Sequence, residues 1–184
     1  MCIRDSYRLV FIDGRFDSDL SDSDTGAFEI EKLSPAAQQT LPDPIQSEVF
    51  LHLTESLAQD SLSVRLPAGK QAEKPLYLLH LSSGRDQSRE MNTVHHRYHL
   101  AIEGGANAEV IEHYLSLNDH GHFTGARMTV NVGDNADFTH YKLAFESQAS
   151  FHFSHNDLVI GRDARVSSHS FLLGAGLTRN NTSA

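Results

Sequence analysis

The chain holds a single cysteine, Cys2, and no tryptophan among its 184 residues. One cysteine excludes an internal disulfide framework, and it equally excludes a zinc or iron–sulfur site built from this chain's thiolates alone. Such cysteine usage fits a reducing compartment, and the expected location is cytoplasmic. Long apolar runs are also missing. None approaches the roughly 18 residues that span a bilayer, and no basic start leads into an apolar stretch, so no secretory signal is read. Positive charge is scarce: 15 Lys and Arg stand against 24 Asp and Glu, a formal net charge of −9. That balance argues against nucleic acid and against an anionic membrane, since both are bound by neutralising phosphates with Lys and Arg. No phosphate-binding loop, dinucleotide fingerprint or Ser/His/Asp motif is present, and the Gly104-Gly105 pair leads into a strand pattern rather than a helix.

What the chain does contain divides into three parts. Residues 1–6, Met1 to Ser6, read as a non-native scar and are set aside. Residues 7–60 read as a small α+β segment. Within it, Leu9 to Ile12, the turn pair Asp13-Gly14, and Arg15-Phe16 predict a hairpin. The Ser- and Asp-rich stretch from Asp17 to Gly26 predicts a solvated loop. A helix is predicted over 43–59, with Asp43 as N-cap and Pro44 in the first position. Its apolar stripe would be Ile45, Val49, Leu53 and Leu57, with His52 and Glu55 in solvent. Residues 61–184 then change period. Leu62, Val64 and Leu66 alternate, Leu76 to Leu81 is a second strand, and no further helix is read.

The later part repeats. Gly105-Ala106-Asn107-Ala108 recurs as Gly133-Asp134-Asn135-Ala136 and again as Gly161-Arg162-Asp163-Ala164, at two intervals of 28 residues (133 − 105 and 161 − 133). Strands joined by tight turns and repeated in register cannot each bury a core, so they stack and share one. The predicted fold is mainly β, a parallel β-helix with 28-residue repeats. Ala108, Ala136 and Ala164 would form one column, and Asn107, Asn135 and Asp163 another. A shift of apolar parity after Val110 predicts a corner or bulge near 111–112.

The twelve histidines raise a metal hypothesis. His95, His96, His99 and Glu103 cluster in sequence, and His152 and His155 follow His96 and His99 by 56. Thr124 and Arg127 occupy the rung between, and a cationic Arg disfavours a cation site. His113, Tyr141 and His169 would form a further, structural column. A β-helical carbohydrate-active enzyme would need grouped carboxylates, but Asp137 aligns with Glu109 and Arg165. A cupin-like metal-binding protein would need H-x-H on a strand, not the H-x-x-H of His96 and His99. Both remain as alternatives.

Longer motifs carry a resemblance. They are Leu9 to Phe16 and Phe50 to Ala58, then Val110 to Asp119 followed by His122 to Arg127. Lys142 to Glu146, His155 to Leu158 and Ser168 to Gly174 complete the set. Together they resemble the SufB/SufD family of SUF-system iron–sulfur cluster assembly proteins, the SufD branch in particular, over nearly all of residues 7–184. The resemblance implies a right-handed parallel β-helix, of which 61–184 would be the first part. It implies a non-catalytic scaffold subunit, not an enzyme, with a SufB-like subunit as heterodimer partner and a SufC-like ATPase contacted through a segment beyond residue 184. The iron–sulfur cluster would be transient in the full complex, with no cofactor bound by this chain. The family's cluster-building positions lie further along the chain, so no catalytic, cofactor-binding or metal residue is assigned.

Overall fold

A computed structural model describes residues 5–86 and 90–184. Residues 1–4, which hold Cys2 and most of the expected scar, lie outside the described residues. The strands form two parallel-ordered stacks, with orders β11-β9-β7-β5-β1-β2 and β12-β10-β8-β6-β4-β3. In the first sheet these are β1 (Tyr7–Ile12), β2 (Arg15–Asp17), β5 (Leu76–Ser82), β7 (Asn107–Ser116), β9 (Asp137–Phe145) and β11 (Arg165–Leu172). In the second they are β3 (Glu29–Lys32), β4 (Ser61–Leu66), β6 (Asn92–Ile102), β8 (His122–Val132), β10 (Phe151–Ile160) and β12 (Leu177–Ser183). Each coil lays one strand in each sheet, which makes a β-solenoid of about four turns. At one end the short β2 and β3 pair antiparallel with β1 and β4, closing edges that would otherwise present unpaired amides.

The predicted hairpin is present. Asp13 and Gly14 both have positive φ, 48° and 81°, as a two-residue turn matched to strand twist requires. The Ser/Asp stretch that follows is held by bonds to β1. The Arg8 amide donates to Asp22 and the Val10 amide to Ser21, at 2.7 and 2.9 Å. These acceptors satisfy strand donors that β2 is too short to reach.

The repeat is real, but its first interval is not 28. Asn107 stands opposite Asp137, an offset of 137 − 107 = 30, and Asp137 stands opposite Arg165, an offset of 28. The residues equivalent in the turn are Gly105, Asn135 and Asp163, with φ of 68°, 58° and 57°. Gly, Asn and Asp are the residues that tolerate this left-handed conformation. The small-residue column is therefore Ala106, Ala136 and Ala164, not one beginning at Ala108, which faces Phe138. The two extra residues lie in the connection after β7: His122 follows Leu115 by seven, whereas its counterpart Ser150 follows Phe145 by five. Matching Gly105 to Gly133 hides this slip, because the strand register makes Glu103 the counterpart of Gly133.

No corner forms at 111–112. Strand β7 runs unbroken with Ala108, Val110, Glu112 and Tyr114 turned inward and buried. The parity of apolar residues changes because the interior becomes polar there, not because the chain bends. Half of the interior, near the turns, is an apolar core that includes Leu9, Val64, Leu78, Leu100, Val110, Val130 and Phe138.

The helix is shorter than predicted and faces the other way. Besides a single turn α1 (Pro35–Gln38), the helix α2 covers Val49–Leu57, capped by the Glu48 side chain on the Leu51 amide at 3.0 Å. The predicted stripe is exposed: Ile45 50%, Val49 77%, Leu53 40% and Leu57 47%. The reason is the surface on which α2 lies. The outward face of the second sheet carries Phe123 and Phe153 together with Arg97, Arg127, His155 and Arg179. Phe50 stacks on Phe153 with ring centroids 4.2 Å apart. Glu55, expected in solvent, pairs with Arg127 at 2.7 Å and Arg97 at 3.4 Å, and Arg127 also pairs with Asp157 at 2.9 Å. Glu48 faces His155 and Arg179, each at 3.5 Å. The helix thus packs on the sheet through Phe50, Leu51 and Thr54, while Glu48 and Glu55 pair with the sheet's cations and set which face is turned inward.

Candidate functional site

Away from the turns, the solenoid interior is lined by ionisable side chains. Glu112 is their hub. Its register partner on β9 is Lys142, whose Nζ stands 3.6 Å from Oε2. The Tyr114 hydroxyl donates to the same oxygen at 2.5 Å, and His140 Nε2 bonds the other carboxylate oxygen at 2.8 Å. Glu112, Tyr114, His140 and Lys142 are all buried. Burial alone would raise the Glu112 pKa, but Lys142 and the His140 and Tyr114 hydrogen bonds outweigh it and hold the carboxyl ionised, well below the usual range. An ionised carboxylate only accepts, so His140 carries its proton on Nε2. Its Nδ1 meets the Ser168 hydroxyl at 3.0 Å. Lys142 also donates to Asn156 at 3.1 Å and to Asn180 at 3.4 Å. Burial pushes its pKa down, and Glu112 opposes that shift.

A second carboxylate, Glu146, holds the far side. It accepts from Thr124 at 2.5 Å and pairs with His152 Nδ1 at 2.6 Å. Burial raises its pKa, while His152, Thr124 and His122 lower it further than burial lifts it. His122 continues outward to Ser116 at 2.8 Å, and the Ser116 hydroxyl accepts from the Ser147 amide at 2.7 Å. A third group sits on the first full coil: the Tyr98 hydroxyl meets Nδ1 of both His80 and His96, each at 3.2 Å. One phenol proton serves two imidazoles, so one of the two rings donates to the tyrosine oxygen. Burial pushes both rings toward the neutral form, His96 to about 3.

The histidines singled out from sequence do not come together. His96 points inward and is buried, while His99 points outward and bonds Thr129 at 2.8 Å. Glu103 is at the surface with Arg65 at 2.7 Å. His96 lies opposite Ala126, not Thr124, and His99 opposite Thr129, not Arg127; it is Arg97 that meets Arg127 and then His155. Tyr141 and His169 do stack, at 5.3 Å, but His113 stands opposite Leu143 and bonds Tyr77 instead. Among the described residues no three His, Asp, Glu or Cys side chains are grouped to hold a metal ion. At the turns, Asp134 and Asp163 are exposed, Asp137 is half-buried, and all three lie beside Arg162 or Arg165.

Sequence reasoning missed Glu112, His140, Lys142 and Ser168. A signal was available, because Glu112, His140 and Ser168 follow one another at intervals of 28 (140 − 112 and 168 − 140). In space His140 faces Val110 directly and reaches Glu112 along the diagonal to the next inward position.

Comparison with known proteins gives consistent matches. A family model described as SUF system FeS cluster assembly, SufBD core domain, matches residues 83–184. The chain is 52% identical over 180 residues to the iron–sulfur cluster assembly protein SufD of Escherichia coli (strain K12), covering 97% of this chain and 42% of that protein. It is 27% identical over 195 residues to an iron–sulfur cluster assembly SufBD family protein of Synechocystis, covering 95% of this chain and 42% of that protein. It is 27% identical over 108 residues to protein ABCI7, chloroplastic, of Arabidopsis thaliana, covering 57% of this chain and 23% of that protein. The chain therefore spans less than half the length of each of these relatives.

Proposed function

We propose that this chain, which belongs to the SufB/SufD family of SUF-system iron–sulfur cluster assembly proteins, acts as a supporting, non-catalytic subunit of the assembly complex. The observation that carries this reading is the 52% identity to SufD over 97% of the chain, joined to a solenoid whose polar residues are spent on one another inside it. The partners are a SufB-like subunit, forming a heterodimer, and a SufC-like ATPase. The iron–sulfur cluster is cargo of the complex rather than a resident group of this chain. A cytoplasmic site of action fits this reading, and no described helix is long and apolar enough to cross a membrane.

The test is a chimera. The matching segment of the E. coli relative is replaced by residues 7–184, and the product is tagged and expressed beside the other two subunits. Co-purification of both subunits and recovery of iron–sulfur enzyme activity in a strain lacking the native protein are expected. A folded chimera that captures neither subunit overturns the reading.

A further inference from the structure

We propose that the outward face of the first sheet is the seat of an amphipathic helix of the same polypeptide, supplied by a part of the longer family protein outside residues 5–184. This is packing within the subunit, and it does not depend on the partners named above. The register fixes what the face carries. On β1, β5, β7 and β9, Ile12, Leu81, Leu115 and Phe145 stand opposite one another from rung to rung. The neighbouring row runs Val10, Leu79, His113, Leu143 and, on β11, Phe171. Both rows point outward, because the alternate residues of the same strands, such as Leu9, Leu78, Val110 and Phe138, fill the core. Parallel sheets that are apolar on both faces are sheets covered on both faces, and His113 is the one polar side chain in these two rows. Phe145 is 43% exposed although β7 and β11 flank its strand, and Leu117, just past the end of β7, is 53% exposed. Their exposure is therefore not that of a sheet edge.

The opposite sheet shows what such a face accepts. Helix α2 lies across β6, β8 and β10 and sets Phe50 against the outward Phe123 and Phe153, with ring centroids 6.0 and 4.2 Å apart. On the first sheet, two rows about 7 Å apart crossing five strands about 4.8 Å apart make a strip of roughly 20 by 13 Å. A helix about 10 Å wide, rising about 1.5 Å per residue, covers that strip with about 13 residues.

Size decides between occupants. At under about 300 Å², the strip is well short of the roughly 800 Å² that each partner of a stable complex contributes. Neither a second copy nor a separate protein would hold to it unaided. A tethered helix needs less area, because the covalent connection supplies a high effective concentration. The family has chain to supply it, since the match to the E. coli protein covers 42% of that protein.

The experiment places a probe cysteine, Phe145→Cys or Leu117→Cys, in the chimera of the E. coli relative. Alkylation by N-ethylmaleimide is timed in the folded protein and in urea, and the label is located by peptide fragmentation. Slowing of more than about tenfold on folding is expected in the chimera purified alone, whereas a half-exposed side chain on a bare face would slow about twofold. Slowing of less than about tenfold overturns the proposal. So does protection that appears only when the other two subunits are added, which assigns the face to one of them, and so does protection lost on dilution, which assigns it to a second copy. Where the chimera does not fold, the cysteine goes at the aligned position of the E. coli relative, and the same outcomes decide. Failure to capture the other subunits counts against the function proposed above and leaves this packing to be read from the alkylation alone.

Discussion

Replacing Glu112 by glutamine removes the charge on which Lys142, His140 and Tyr114 converge, and leaves an ammonium buried without its counter-ion. Breaking a buried pair from one side costs about 3–5 kcal/mol, because the remaining charge keeps its desolvation penalty. Both Glu112 and Lys142 are 1% exposed or less, so solvent screening does little to reduce that figure. Domains of this kind have about 5–15 kcal/mol in total, so Glu112→Gln would remove a large share. With a shift of about 2–4 °C for each kcal/mol at this chain length, Tm falls by roughly 6–20 °C. Lys142→Met acts in the mirror sense, leaving Glu112 with only its hydrogen bonds to Tyr114 and His140. The double variant Glu112→Leu/Lys142→Met removes both charges and should be more stable than either single change, since buried pairs are often replaced by apolar residues at little cost. The assay is urea unfolding followed by circular dichroism for the parent, the two singles and the double, read as a cycle. Strict additivity of the two singles, or a cost under about 1 kcal/mol for Glu112→Gln, would refute the reasoning, because the hub would then contribute no coupling.

Two further outcomes follow from the same interior and from the turns. His80 and His96 are buried in the neutral form, with folded pKa values below the unfolded 6.5. The unfolded chain therefore binds more protons, and stability falls as pH drops below 6.5, continuing toward about 3 for His96. Between pH 6 and 5 each such histidine takes up to about 1.4 kcal/mol per pH unit, so urea midpoints should decline across this range. A flat profile from pH 7 to 5 would show that these rings are charged or exposed. At the turns, Gly161→Ala places a Cβ 2.7 Å from the Asp134 amide nitrogen, whereas at Gly69, φ 69°, nothing lies within 4 Å. Gly161→Ala should cost over about 2 kcal/mol by overpacking and Gly69→Ala about 1 kcal/mol from the left-handed backbone alone. Equal thermal shifts would contradict the stacked-turn packing.

Much of the fold was legible because its signals are local. Alternation in Leu62, Val64 and Leu66, the Asp13-Gly14 turn and the recurrence of small turn residues each depend on a few neighbouring positions. Backbone sterics decide what such positions can do. The composition also settled what the chain lacks: one cysteine cannot build a thiolate cage. Three features were beyond sequence because each depends on a partner distant in the chain. The register of the first repeat slipped by two because the connection after β7 is longer, and only strand pairing reveals where length is absorbed. Helix α2 turned Leu51, Thr54 and Glu55 inward rather than Val49, Leu53 and Leu57, because Arg97 and Arg127, some forty and seventy residues later, lie beneath it. Glu112 stood at the expected corner near 111–112 until Lys142, His140 and Tyr114 were seen around it. A charge is tolerated in a core only when its partners are already in place, and those partners are supplied by the stacking of one coil on the next.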